Sequence, residues 1–174
     1  MPVYELNITG ATIVSLVEEI GKLVIIGYVI KKLNPKFILN GLLIGTTFGA
    51  GFAAFESAGY AYRFGVVFGE GTMISVILLR AWMSMGTHVV WSAIAGAALV
   101  YVKGNDPLKS DHFLHADFLK LFAVSIILHA VWDKPLYVLH NFNLLFIILI
   151  VIAWIFVFSI INAGFKQIVR INKV

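Results

Sequence analysis

The sequence predicts an all-α fold, a polytopic membrane helix bundle of about five transmembrane helices with a break in the third segment. Three observations carry this. Only 13% of the 174 residues are charged and 60% are AVILMFWYC, whereas soluble domains average about 25% charged residues. The mean hydropathy is +0.95, and the apolar residues fall into runs close to the roughly 20 residues a helix needs to cross the hydrocarbon. Lys and Arg crowd the ends of those runs on one side. The pI near 9.4 follows from that crowding. No basic stretch carries the aromatic interleaving of a nucleic-acid surface, so no nucleic-acid partner is expected. The absence of Cys rules out disulfides, thiolate ligands and a cysteine nucleophile.

The first run, 11–33, has Thr9 as its expected N-cap and Asn34-Pro35 as its stop. No basic residue precedes it and Glu5 lies in the lead-in, so it reads as a retained helix rather than a cleaved signal. The second run is 37–62. The third, 72–102, would be about 46 Å long as one helix, too long for ordinary tilt. A break is therefore expected near residues 82–86, with Gly86 as the weak point and 83–102 as the true span. The fourth run is 116–133, and the fifth, 144–165, holds no charged residue. Lys31, Lys32, Lys36, Lys103, Lys109, Lys120, Lys166, Arg170 and Lys173 flank one side of these runs; Arg63 and Lys134 flank the other. By the positive-inside rule the first side is cytoplasmic, which puts the N-terminus outside and the C-terminus inside a cell membrane. The lysines then meet anionic head groups of the bilayer. With no repeat or linker, residues 1–174 read as one integral membrane domain.

Ionisable side chains at bilayer depth cost roughly 2.5–3.5 kcal/mol each on insertion scales, so each one invites a functional reading. Here they are Glu18, Glu19 and Lys22 in the first run, Glu56 in the second, Arg80 and His88 in the third, and His129 and Asp133 in the fourth. Glu18, Glu56 and His129 each lie about 8–10 Å below the same outer surface, and a break before His88 brings it to that depth. Facing agrees with depth. Gly41, Gly45, Gly49, Ala53, Glu56 and Tyr60 form one stripe at helical spacing, as do Arg80, Ser84, His88, Ser92 and Gly96. Glu18 and Glu19 are about 100° apart on a helix and reach one site from two sides, with Lys22 placed to neutralise Glu18. A carboxylate in such a site serves as general base on water. His88 and His129 serve either as oxyanion donors or, with Glu19 or Glu56, as ligands of a divalent metal such as zinc. The residues alone leave open whether a metal is present. His112, His115 and His140 read as loop residues.

The order Glu18-Glu19-x-x-Lys22, Phe55-Glu56-Ser57-x-x-Tyr60, Arg80 through Ser84 to His88, and His129-x-x-Trp132-Asp133 resembles the PrsW-type intramembrane proteases. These are related in plan to the CAAX prenyl endopeptidases and the abortive-infection membrane proteases. The resemblance covers residues 15–133. It implies hydrolysis of a peptide bond in a membrane-anchored protein near the outer membrane face, with an anti-sigma factor as the type of substrate. It also implies catalytic roles for Glu18, Glu19 and His88, joined here by Glu56 and His129, with Lys22, Arg80 and Asp133 in support. The chain departs from the family pattern at Ser57 and Asp133, where members often carry Asn.

Two other classes compete. An ion-coupled transporter or proton-conducting protein would use the same residue types, but along a path through the full thickness. A silent scaffold would tolerate loss of Glu19 or His88.

Overall fold

The computed structural model describes residues 7–133 and 142–171; Lys134, His140 and Lys173 lie outside them. The described residues form α1 (Ile8–Leu33), α2 (Ile38–Phe68), α3 (Glu70–Ser84), α4 (His88–Lys103), the single turn α5 (Ser110–Phe113), α6 (Ala116–Asp133) and α7 (Phe142–Ile171). Among the described residues there is no strand. The all-α membrane bundle expected from the sequence is the observed architecture.

Ile38–Phe68, Glu70–Lys103 and Leu144–Ile171 are long and apolar enough to cross a membrane. Helices α1 and α6 fall short of that criterion because of their charges: Glu18, Glu19, Lys22, Lys31 and Lys32 in one, Asp117, Lys120 and Asp133 in the other. The outer surface is lipid-like, with Ile13, Val17, Val24, Phe55, Ile147 and Phe158 all exposed. Such a surface is stable only against hydrocarbon.

Helix α1 starts one turn earlier than expected. Asn7, not Thr9, caps it, with its Oδ1 accepting from the Gly10 N–H at 2.7 Å. At the other end Asn34 takes the left-handed conformation (φ 46°) that stops the helix before Pro35. Helix α2 runs past Tyr62 to Phe68, where Gly69 (φ 91°) turns the chain into α3. The expected break falls at residues 85–87, between α3 and α4. Gly86 is not there for a left-handed backbone. A Cβ on it would collide with Ile150 of α7, so the position is small to let α7 approach.

Helix α4 is the hub. Val90 and every residue from Ala93 to Val100 are buried, packed by α2, α6, α1 and α7. The closest seam is α2 against α4, where Gly41, Gly45 and Gly49 lie on the backbone of Gly96, Ser92 and His88. Such close approach, permitted by small residues, is what holds helices together in lipid. Toward the lysine-rich end the core is Leu23, Ile26, Ile30, Leu99 and Phe118. On the α7 side Val90, Trp91, Ile94, Leu149 and Ala153 fill it. Two polar staples fix that end. The buried Lys103 ammonium donates to Asn34 Oδ1 at 2.9 Å and to the carbonyls of Gly104 and Asp106, each at 3.1 Å. Gln167 of α7 accepts from the Ile38 N–H and donates to the Lys36 carbonyl, both at 2.9 Å.

Candidate active site

At the opposite end from the staples, five helices bring their ionisable residues into one cluster. Helix α1 supplies Glu18, Glu19 and Lys22 in a single turn. Glu19 is 1% exposed and pairs with Lys22, which is also buried. The sequence pointed Lys22 at Glu18, one turn away; the ammonium goes to Glu19 instead. Two groups from other helices draw it there: His88 Nδ1 at 3.0 Å and the face of Phe52, 4.6 Å from the amine. An ammonium only donates, so Nδ1 of His88 accepts and its Nε2–H donates to Glu56 Oε2 at 2.9 Å. The same Glu56 oxygen accepts from Arg80 Nη2 at 2.6 Å, and Arg80 Nε donates to Ser57 Oγ at 3.2 Å. The chain break matters here, because it makes His88 the first residue of α4 and lets it reach Glu56 and Lys22 together.

From α6, His129 faces α1. Its Nδ1 is 2.9 Å from Glu19 Oε1. Its Nε2 lies 3.6 Å from Glu18 Oε2 and 3.3 Å from Asp133 Oδ2. Glu18, Glu19, Glu56, His88, His129, Lys22, Arg80 and Asp133, the residues singled out in the sequence, thus form one connected network. His112 and His115 are not in it; each accepts a local backbone N–H, from Lys109 and Asp117 respectively.

Sequence reasoning missed the aromatic wall. Trp91 stacks on His129 with centroids 4.5 Å apart and planes 24° from parallel, and its edge meets His88 at 5.0 Å. The signal was its position, one turn after His88 on the same helix. The two imidazoles stand edge to face, 4.9 Å apart. Beside His88 opens a cleft of about 30 Å³ lined by Ser57, Arg80, Ser84, Thr87 and Trp132, room for about one water.

Two carboxylate oxygens in the cluster, Oε2 of Glu18 and Oε2 of Glu19, are buried and have no hydrogen-bond partner among the described residues, His129 Nε2 standing beyond hydrogen-bond distance of the first. A buried polar atom without a partner is rare and marks a place prepared for something. Glu18, His88 and His129 each offer one ligand atom, all within 4.8 Å of one another, close enough to hold a metal ion. The carboxylate in that group is Glu18, where the sequence pointed to Glu19 or Glu56. Those two are engaged by Lys22 and by Arg80. Two nitrogens and one carboxylate oxygen suit a divalent metal, and a carboxylate placed as Glu19 is on His129 Nδ1 is the usual outer support for a histidine ligand.

Compared with known families, residues 2–161 match the family model described as PrsW family intramembrane metalloprotease. The chain belongs to the PrsW family. No curated protein and no solved structure matches it. Membership makes this PrsW-family chain an intramembrane protease, a hydrolase of peptide bonds, and its Glu18, His88 and His129 lie close enough together to hold a metal ion. The transporter alternative finds no support: toward the lysine-rich end the bundle core is Ile26, Ile30, Leu99 and Phe118, packed rather than lined with polar groups.

Proposed function

We propose that the chain is a metal-dependent endopeptidase cutting a membrane-anchored protein near the outer face of a cell membrane. The observation that carries this is the pair of buried oxygens without a hydrogen bond among the described residues, Glu18 Oε2 and Glu19 Oε2, beside two imidazoles. Four carboxylates (Glu18, Glu19, Glu56, Asp133) face two permanent cations (Lys22, Arg80). Glu18, His129 and, once the Lys22 ammonium leaves its Nδ1, His88 would hold a divalent metal, which when bound would polarise water and the scissile carbonyl.

The chain's own residues do the rest. Glu19 Oε2 takes the proton of the attacking water as the new C–O bond forms, and passes it to the amide nitrogen as the C–N bond breaks. Lys22 keeps that carboxylate oriented through its other oxygen. Glu56 accepts from the His88 Nε2–H and so orients the ring with Nδ1 as its lone-pair atom, and the Arg80–Glu56 pair ties α3 to this site. A groove of about 300 Å³ between α2 and α3, floored by Ala50, Ala54, Ala58 and Ala81, shares Ala53, Ser57 and Ser84 with the cleft beside His88. Its lateral position suits an extended segment of a membrane-anchored protein, an anti-sigma factor being one such substrate. The kinship in plan with the CAAX and abortive-infection proteases rests on the same Glu-Glu and His order.

The test is cleavage of a membrane-anchored reporter by the full chain in liposomes, with metal content measured alongside. One equivalent of metal is expected, activity is expected to fall with chelation, and zinc should restore it. Full activity of metal-free protein would overturn the metal-dependent reading.

The five-span topology belongs to the same proposal, with α1 and α6 spanning despite their charges. A reporter fused to the C-terminus is expected to read as cytoplasmic, and one at the N-terminus as external. An external C-terminus would move the cluster to the inner face and refute the outer-face cut.

A further inference from the structure

From Ile20, beside the cluster just described, to Lys31 at the lysine-rich end, α1 and residues 108–113 enclose a groove of about 780 Å³. Its body is apolar, walled by Ile20, Leu23, Val24 and Gly27 of α1 on one side and by Leu108 and Phe113 on the other. Its mouth carries Lys31, Lys109 and Ser110, with Tyr28 beside them. From Ile20 to Lys31 the groove follows α1 for about 17 Å at 1.5 Å per residue. Gly27 is part of its construction, since a Cβ there would come within 2.9 Å of the Phe113 ring that closes the far side. Phe113 is held in turn by an edge-to-face contact with Phe118 at 5.9 Å. Val24 and Tyr28 are each 65% exposed, so the groove opens to the hydrocarbon along its length.

We propose that this groove binds one anionic phospholipid, with an acyl chain along Leu23, Val24 and Gly27 and the phosphate between Lys31 and Lys109. Charge decides the class. Both basic residues stand at the same end of an apolar trough, no acidic residue lines it among the described residues, and neither ammonium is in an ion pair among them. A zwitterionic head group brings its own cation to that mouth and gains less from it. A free phosphate anion gains nothing from the apolar body. Basic pockets beside membrane helices are suited to anionic head groups for this reason. The site needs neither the metal nor the peptidase reading, and it stands or falls separately from them.

The test is lipid retention by the full chain in detergent, read by native mass spectrometry during titration with phosphatidylglycerol or phosphatidylcholine. One phosphatidylglycerol is expected to bind, well before phosphatidylcholine. Lys31→Ala with Lys109→Ala should weaken it about 30-fold, as two lost basic contacts imply. Val24→Trp, which fills the trough and leaves the charges, should weaken it too. Lys32→Ala with Lys120→Ala removes the same charge from outside the groove and should change binding by less than about 3-fold, within ordinary surface electrostatics. Equal loss in the two lysine pairs would reduce the effect to general surface attraction and overturn the proposal. So would equal binding of both lipids, displacement by inorganic phosphate alone, or a lipid-free dimer that Val24→Trp dissociates.

Discussion

Glu19→Gln is expected to lower kcat/KM on a membrane-anchored substrate by about 10²–10⁴, the usual worth of a lost general base, with bound metal kept. Glu18→Gln should lose metal as well as activity, because Glu18 belongs to the Glu-His-His group and Glu19 does not. Metal analysis of the two purified variants separates the roles; equal metal content in both would remove Glu18 from the ligand set. Glu19→Gln also strands the buried Lys22 ammonium, and breaking a buried pair on one side costs about 3–5 kcal/mol. Lys22→Met with Glu19→Gln removes both charges. That double variant should regain thermal stability toward wild type and remain inactive. Recovery of activity along with stability would reduce Glu19 to a structural anion.

Gly45→Leu is the substitution expected to damage the fold most. A side chain there meets the Ser92 carbonyl and the Ala93 Cα, which are backbone and cannot swing aside. The helices must separate, at about 3 kcal/mol or more for a crowded interface. The same separation pulls Glu56 of α2 from His88 of α4, now 2.9 Å apart, so activity should fall with the melting temperature in detergent. Gly51→Leu, six residues further along α2 with nothing within 4 Å of its Cβ, should melt like the parent. Equal melting of both variants would mean that the glycine seam does not set the helix spacing.

The helices, the break in the third run and the gathering of the ionisable residues at one depth could all be read in the sequence. Each follows from hydropathy, length and depth along an axis, and these are local quantities. Partner choice could not be read. Lys22 reaches Glu18 and Glu19 equally well by helical spacing, and only His88 and Phe52, brought in by other helices, decide for Glu19. The metal group has the same character, since Glu18 is left over once Lys22 and Arg80 have taken Glu19 and Glu56. Trp91 was hidden because an aromatic residue in an apolar helix looks like core until the ring it stacks on is known. Helix α2 outran its expected end at Tyr62 because the residues after Arg63 are apolar and helix-compatible as far as Gly69.

The charges that make the cluster also govern how the chain enters a bilayer. Helices α1 and α6 are the two long helices too charged to qualify as spans on composition. Each charged side chain costs roughly 2.5–3.5 kcal/mol near the bilayer centre when it is alone. Glu19 and Lys22 offset each other within α1, but Glu18 and Glu19 meet His129 only after α6 has been synthesised, with 110 positions separating Glu19 from His129. On the five-span topology proposed above, α1 is therefore expected to insert fully only once α6 brings His129 to it. A chain truncated before α6 is expected to insert α1 less completely than the full chain, in which the same contacts that close the ionisable cluster also offset the charges of α1.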